Sequence, residues 1–193
     1  MNTPDRALLL SLHPRFATAI LDGDKTVELR RQRVAAPPGT PVIIYATSPV
    51  MALTGTARLA AVDSATPAQL WCRHKAACGV SKAEYTRYMD GATQASALLI
   101  DHARPLSSTV SLDHLRAVNA FHPPQSYRYL TREALRELVG GHEAANELLS
   151  RVAMPPAAGH TPRPVSPQPA PARPARSPDG MRSAVLTTAA PQT

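Results

Sequence analysis

The apolar positions of this chain fall into short blocks whose period switches between that of a strand and that of a helix. Residues 7–12, ALLLSL, are continuously apolar but for one serine and read as a buried strand. Phe16, Ala19 and Ile20 then fall at i, i+3 and i+4, which puts one apolar face on a helix over 14–21. Pro14 suits its first turn, where a missing N–H costs nothing, and Asp22-Gly23 supplies the stop. From Thr26 to Arg30 the period becomes two. Val27 and Leu29 point one way; Thr26, Glu28 and Arg30 point the other, beside Lys25. A hydroxyl, a carboxylate and a guanidinium thus share one face of a predicted strand over 26–31.

The pattern continues with a Pro-Pro-Gly turn over 35–40 and an apolar, β-rich run at 42–46. After Ser48-Pro49 comes a long strand over 50–62, with Gly55 as a bulge. Thr66-Pro67 opens a helix to about residue 75, and the capping box Ser81-Lys82-Ala83-Glu84 opens another to about residue 91. Residues 95–106 return to strand, Ser111 and Thr131 each cap a short helix, and a last helix is predicted over 142–152. Five or so strands with short, irregularly placed helices predict an α+β fold. Its expected core is a small mixed β-barrel with helices at the rim.

Half of the twenty prolines lie beyond residue 153, in a stretch without aromatic residues or apolar periodicity. Such a composition buries too little apolar surface to offset chain entropy. The folded domain is therefore expected over 4–152 and a disordered Pro/Ala/Arg-rich tail over 153–193. The net charge is +7, to which the tail contributes Arg163, Arg173, Arg176 and Arg182 against Asp179. This balance suits a polyanionic partner, and Arg30, Arg31, Arg33, Arg58, Arg73 and Lys75 could form a patch if the fold gathers them. Cys72 and Cys78 lack a zinc or disulfide pattern and are expected as reduced thiols in a cytoplasmic protein. The 7–12 run is too short for a membrane span. No HxH or HExxH grouping, phosphate-cradling glycine loop or nucleophile elbow occurs, so no metal or cofactor is implied.

The 13–31 segment, with YATSPV at 45–50 and FHPPQSYRYL at 121–130, resembles the ASCH domain of the PUA-like superfamily, in its bacterial form, over about residues 7–130. The resemblance implies a compact barrel and a cleft between the barrel and the first helix that faces RNA or a nucleotide-like ligand. One branch of that family hydrolyses acetylcytidine with a Lys-Thr-x-Thr motif. Lys25 and Thr26 match its first two positions, but Glu28 stands where the hydroxyl nucleophile belongs, and a carboxylate does not replace a hydroxyl in that role. If there is catalysis, Lys25 and Glu28 are the candidate acid/base pair acting on a water. In a ribonuclease branch only Lys25 can be matched. The expected function is an RNA- or nucleotide-binding module; a hydrolase of a modified nucleoside or of RNA is the alternative.

Lys25 and Arg30 are the candidate anion contacts, with a structural Glu28–Arg30 ion pair as the competing role. Tyr45, Thr47 and Ser48 close a core strand, either toward a ligand or as ordinary turn formers. Gln125, Ser126 and Tyr127 follow two stiffening prolines and either face the cleft or merely close the barrel. Tyr85 and Tyr88 offer a stacking face or helix packing, and Trp71 reads as core. The tail would add nonspecific nucleic-acid contacts or bind a protein partner.

Overall fold

The computed structural model describes residues 6–118 and 120–153; the proline-rich segment, with its expected disorder, lies outside them. The elements in chain order are β1 (Arg6–Leu12), α1 (Pro14–Leu21), β2 (Val27–Arg30), β3 (Pro41–Ala46), β4 (Ala52–Ala65), α2 (Pro67–His74), α3 (Lys82–Met89), β5 (Ala95–Ser111), α4 (Leu112–Val118), β6 (Tyr127–Thr131), α5 (Arg132–Leu138) and α6 (Ala145–Ala153). The architecture is a mixed α+β fold on one six-stranded sheet, in the order β2-β5-β4-β3-β1-β6. β1 and β3 pair in parallel, and the other neighbours are antiparallel.

Both faces of the central strands are covered, which is why β1 and β3 read as continuous apolar runs rather than as alternation. Ala7, Leu9, Ile43 and Tyr45 pack with Leu115, Leu135 and Leu148 of α4, α5 and α6. Leu8, Leu10, Val42 and Ile44 face the other way, toward Ala17 and Ile20 of α1. A third cluster joins Val27 and Leu29 of β2 to Leu70 of α2 and to Tyr85 and Met89 of α3.

The long β4–β5 pair serves all three clusters because its register shifts three times. The predicted bulge falls at Gly55, where the β3–β4 register steps from Ile44↔Gly55 to Tyr45↔Leu53. A Cβ there would sit 2.4 Å from a Leu21 methyl and 2.8 Å from the Arg104 carbonyl oxygen, so α1 packs directly on the β4 backbone. β5 passes through a left-handed His102 (φ 48°) and Pro105 and runs five residues past the predicted end at 106. At its end Val110 and Ser111 pair with Leu53 and Ala52 of β4.

The hydrogen-bonded ladder is open, so the expected barrel is not confirmed as a closed one. Side chains meet across the seam between β2 and β6 instead. The Tyr127 and Tyr129 hydroxyls donate to the carbonyls of Arg33 (3.0 Å) and Ala35 (2.7 Å). An Arg30 guanidinium nitrogen donates to the Ser11 carbonyl at 3.1 Å. The free edge of β2 is covered in the same manner, its Val27 and Leu29 carbonyls accepting from Lys25 Nζ (2.7 Å) and the Tyr88 hydroxyl (3.3 Å). Among the described residues no helix is long and apolar enough to cross a membrane.

Candidate functional site

A cavity of about 280 Å3 opens at this seam, walled by the end of β1, the start of α1, β2 and α3. Its inner wall carries Ser11, Lys25, Glu28 and Arg30, all buried, and its outer wall Arg15, Phe16, Glu84 and Tyr88. The cavity thus lies beside the first helix, with α3 forming its other side. Each polar group reaches it for a local reason. Lys25 follows the Asp22-Gly23 stop, where its N–H bonds back to the Ala19 carbonyl (2.9 Å). Glu28 and Arg30 alternate with Val27 and Leu29 on a strand whose apolar face is packed under α2 and α3.

The inner wall is an ionic chain. Lys25 Nζ lies 3.2 Å from Glu28 Oε2, and an Arg30 nitrogen lies 3.3 Å from Glu28 Oε1. Both carboxylate oxygens are thus held by cations. Lys25 also donates to the carbonyls of Val27 and Cys78, so its three N–H groups are all engaged. The Cys78-Gly79 turn wraps its stem, with Lys25 Cδ 3.4 Å from where a Gly79 Cβ would sit. Lys25 is a buried strut for Glu28 rather than a free point charge. Arg30 differs. It reaches the Ser11 carbonyl and, at 3.5 Å, Ser126 Oγ. Its Nε has no hydrogen-bond partner, and neither does Ser11 Oγ.

At the rim, an Arg15 nitrogen meets Glu84 Oε1 at 2.5 Å, linking α1 to α3. Glu84 Oε2 accepts from the Ser81 N–H (2.9 Å) and hydroxyl (3.0 Å). The Ser81 N–H chiefly, with Arg15 beside it, holds the Glu84 carboxyl down to about 2. Burial pushes the Tyr88 phenol up, Arg30 opposing and Glu28 reinforcing. The guanidinium of Arg15 lies 4.4 Å from the centroid of the Phe16 ring, with Lys25 Nζ at 5.1 Å from the same ring.

Of the residues singled out from the sequence, Lys25, Glu28 and Arg30 come together here, and Ser126 touches the site through Arg30. Thr26 does not join them: it precedes β2, is exposed, and its backbone bonds to Ala77 and Ile100. Tyr45 is buried in the α4–α6 core against Phe121. Thr47 and Ser48 form the turn before a cis Pro49. Gln125 is exposed, and Tyr127 serves the seam. The basic residues do not gather either, since Arg73 pairs with Asp63 and Arg58 reaches the carbonyls of Gly39 and Arg151. Tyr85 and Trp71 pack together, as the core reading predicts, yet Tyr85 lines the cleft as well, beside the 42% exposed Tyr88. Ser11, Arg15, Phe16 and Glu84 were missed. Only Ser11 gave a signal, as a lone hydroxyl in an apolar run. Among the described residues no group of three metal-ligating side chains occurs, and both cysteines are free.

The ASCH domain model matches residues 10–101, which span α1, β2 and the core strands. The chain is 37% identical over 138 residues to an ASCH domain-containing ribonuclease of Zymomonas mobilis, covering 70% of this chain and 93% of that protein. The crystal structure of ASCH from Zymomonas mobilis superposes with a TM-score of 0.64 at 36% identity, over 69% of this chain and 93% of that one. A serine-to-alanine variant of that protein gives 0.65 at 34% identity, over 72% and 97%. With its first helix, charged strand and core strands matched to the domain model and nearly the whole of a bacterial relative aligned at this identity, the chain belongs to the ASCH domain family.

Proposed function

We propose that this protein acts on RNA by taking one nucleotide unit of a single strand into the cleft between α1, β2 and α3. One observation carries the reading: Ser11 Oγ and Arg30 Nε are buried and unpartnered, and both residues line the same cavity. Buried polar atoms without partners are costly and uncommon. Two potential donors in one cavity call for a ligand rich in acceptors, such as phosphate oxygens or base carbonyls. A cavity of about 280 Å3 admits a single unit and not a duplex, and the rings of Phe16 and Tyr88 offer it stacking surfaces. The relative's description as a ribonuclease supports RNA as the polymer. The same reading makes the seam the side-chain-closed edge of a barrel. It also gives the 153–193 segment a nonspecific electrostatic role and the free thiols a reducing, cytoplasmic setting.

Cleavage is the second reading, favoured by Glu28. Its carboxylate is fixed by two cations beside the cavity. It can take the proton of a ribose 2′-hydroxyl as that oxygen attacks the adjacent phosphorus, the 5′-oxygen leaving with a proton from water. Anisotropy of a labelled single-stranded RNA, with gel analysis of the same samples, separates the two readings. Arg30→Lys and Ser11→Ala are expected to weaken binding about tenfold each, and Arg173→Ala far less. Product that forms with wild type and vanishes in Glu28→Gln establishes cleavage; intact RNA over hours leaves a binding module. Affinity unchanged by both cleft substitutions overturns the site. Turnover of acetylcytidine in place of RNA overturns the substrate class.

A further inference from the structure

The rim of the cleft is built unlike its floor. Lys25, Glu28 and Arg30 below are at most 7% exposed, while the side chains of Arg15 and Glu84 are 54% and 37% exposed. Their ion pair joins helices that are 69 residues apart in the chain, and both residues line the cavity. The two partners are not equivalent. Glu84 is fixed, its other oxygen being the acceptor of the α3 capping box. Arg15 stands on the first turn of α1, its guanidinium resting over the face of Phe16. Glu84 therefore stays when the pair parts, and Arg15 moves.

We propose that Arg15 and Glu84 form a latch over the cleft mouth, and that an incoming phosphate displaces the Glu84 carboxylate from Arg15, so that the site selects a phosphate-bearing nucleotide over a neutral nucleoside. This rests on the RNA reading of the same cleft. The exchange is nearly balanced. An exposed ion pair contributes little, and a guanidinium takes a phosphate in the same forked geometry as a carboxylate. A ligand whose base and sugar engage Arg30 and Ser11 on the floor leaves its phosphate at the rim, where Arg15 is the cavity's exposed cation. A neutral nucleoside offers Arg15 nothing in return for the Glu84 carboxylate.

The closed latch makes a counterintuitive prediction: removing the carboxylate improves RNA binding. Glu84→Gln is the suitable change, because glutamine at the third helical position keeps the capping box and α3 intact. The probe is a fluorescein-labelled single-stranded RNA decamer, with uridine and uridine 5′-monophosphate as competitors. Wild type, Glu84→Gln, Arg15→Ala, the double variant and Glu143→Gln are compared, the last being an exposed acid outside the cavity lining. Circular dichroism checks each fold. Glu84→Gln is expected to tighten the decamer about threefold to fivefold, and Arg15→Ala to weaken it about fivefold. In the Arg15→Ala background the Glu84→Gln gain disappears. The monophosphate outcompetes uridine in wild type and loses most of that advantage in Arg15→Ala. A gain equal to that of Glu143→Gln, or one that persists without Arg15, is general electrostatics and overturns the latch. So does equal competition by uridine and its monophosphate. If wild type does not bind the decamer at all, the RNA reading fails and takes the latch with it; binding without the Glu84→Gln gain removes the latch alone.

Discussion

Replacing Lys25 by methionine tests whether the buried ammonium is a strut or a ligand contact. Lys25→Met keeps a linear apolar stem against Phe16 and the Cys78-Gly79 turn and removes only the charge and its three donors. Left behind are Glu28, 6% exposed and paired with Arg30 alone, and the carbonyls of Val27 and Cys78 without their Lys25 hydrogen bonds. Breaking a buried ion pair by deleting one partner costs about 3–5 kcal/mol. A value of about 4 kcal/mol is expected here, because Arg30 still partly compensates Glu28. With a urea m-value of about 2 kcal/mol per molar, the unfolding midpoint should fall by about 2 M. Lys25→Met/Glu28→Gln/Arg30→Met, which removes all three charges of the ionic chain, should recover at least half of that fall, since none of the three is then left buried without its partner. Chemical unfolding followed by far-ultraviolet circular dichroism reads both numbers. A midpoint that moves by less than about 0.3 M, together with lost RNA binding, refutes the strut and returns Lys25 to the ligand.

Gly55→Ala should destabilise by about 1–3 kcal/mol, read as a lowered Tm, because its new methyl would meet Leu21 and the Arg104 carbonyl at sub-contact distances. An unchanged Tm would mean α1 can back away from β4. Arg151 ties α6 to β4 and β5 through the carbonyls of Arg104 (3.3 Å) and Pro105 (2.9 Å) and through Thr56 Oγ1 (3.4 Å). Arg151→Ala is expected to speed amide exchange over α6 at least tenfold while β1 and β3 stay protected. Glu84 titrates at about 2 in the folded protein against an ordinary 4.5. Its contribution to stability is thus fully present above the ordinary value and fades as pH falls from about 4.5 toward about 2. A carbon-13 titration of the Glu84 carboxyl checks this, and a midpoint near 4.5 would show the Ser81 and Arg15 contacts to be absent.

The sequence by itself determined most of the elements and much of the polar chemistry, but not β6, which is held as a strand by pairing with β1. The helix of Phe16 and Ile20, the N-cap at Thr66, the capping box at Ser81, the Gly55 bulge and the alternation of Val27 and Leu29 with Glu28 and Arg30 are local matters of period, cap and backbone freedom. The 17-residue length of β5 was not legible, because its end is set by the pairing of Val110 and Ser111 with Leu53 and Ala52 of β4 rather than by propensity. The same holds for the site. Which of the polar residues meet, and in what state, depends on partners far along the chain. Cys78 turns Lys25 from a free cation into a strut, the α4–α6 core takes Tyr45 away, and α3 brings Glu84 and Tyr88 to the cleft. Alternation can say which way a side chain points; only the packed structure says whether a carbonyl, a carboxylate or open space awaits it there. At the seam of this sheet it left Ser11 Oγ and Arg30 Nε without partners, and no local pattern records that.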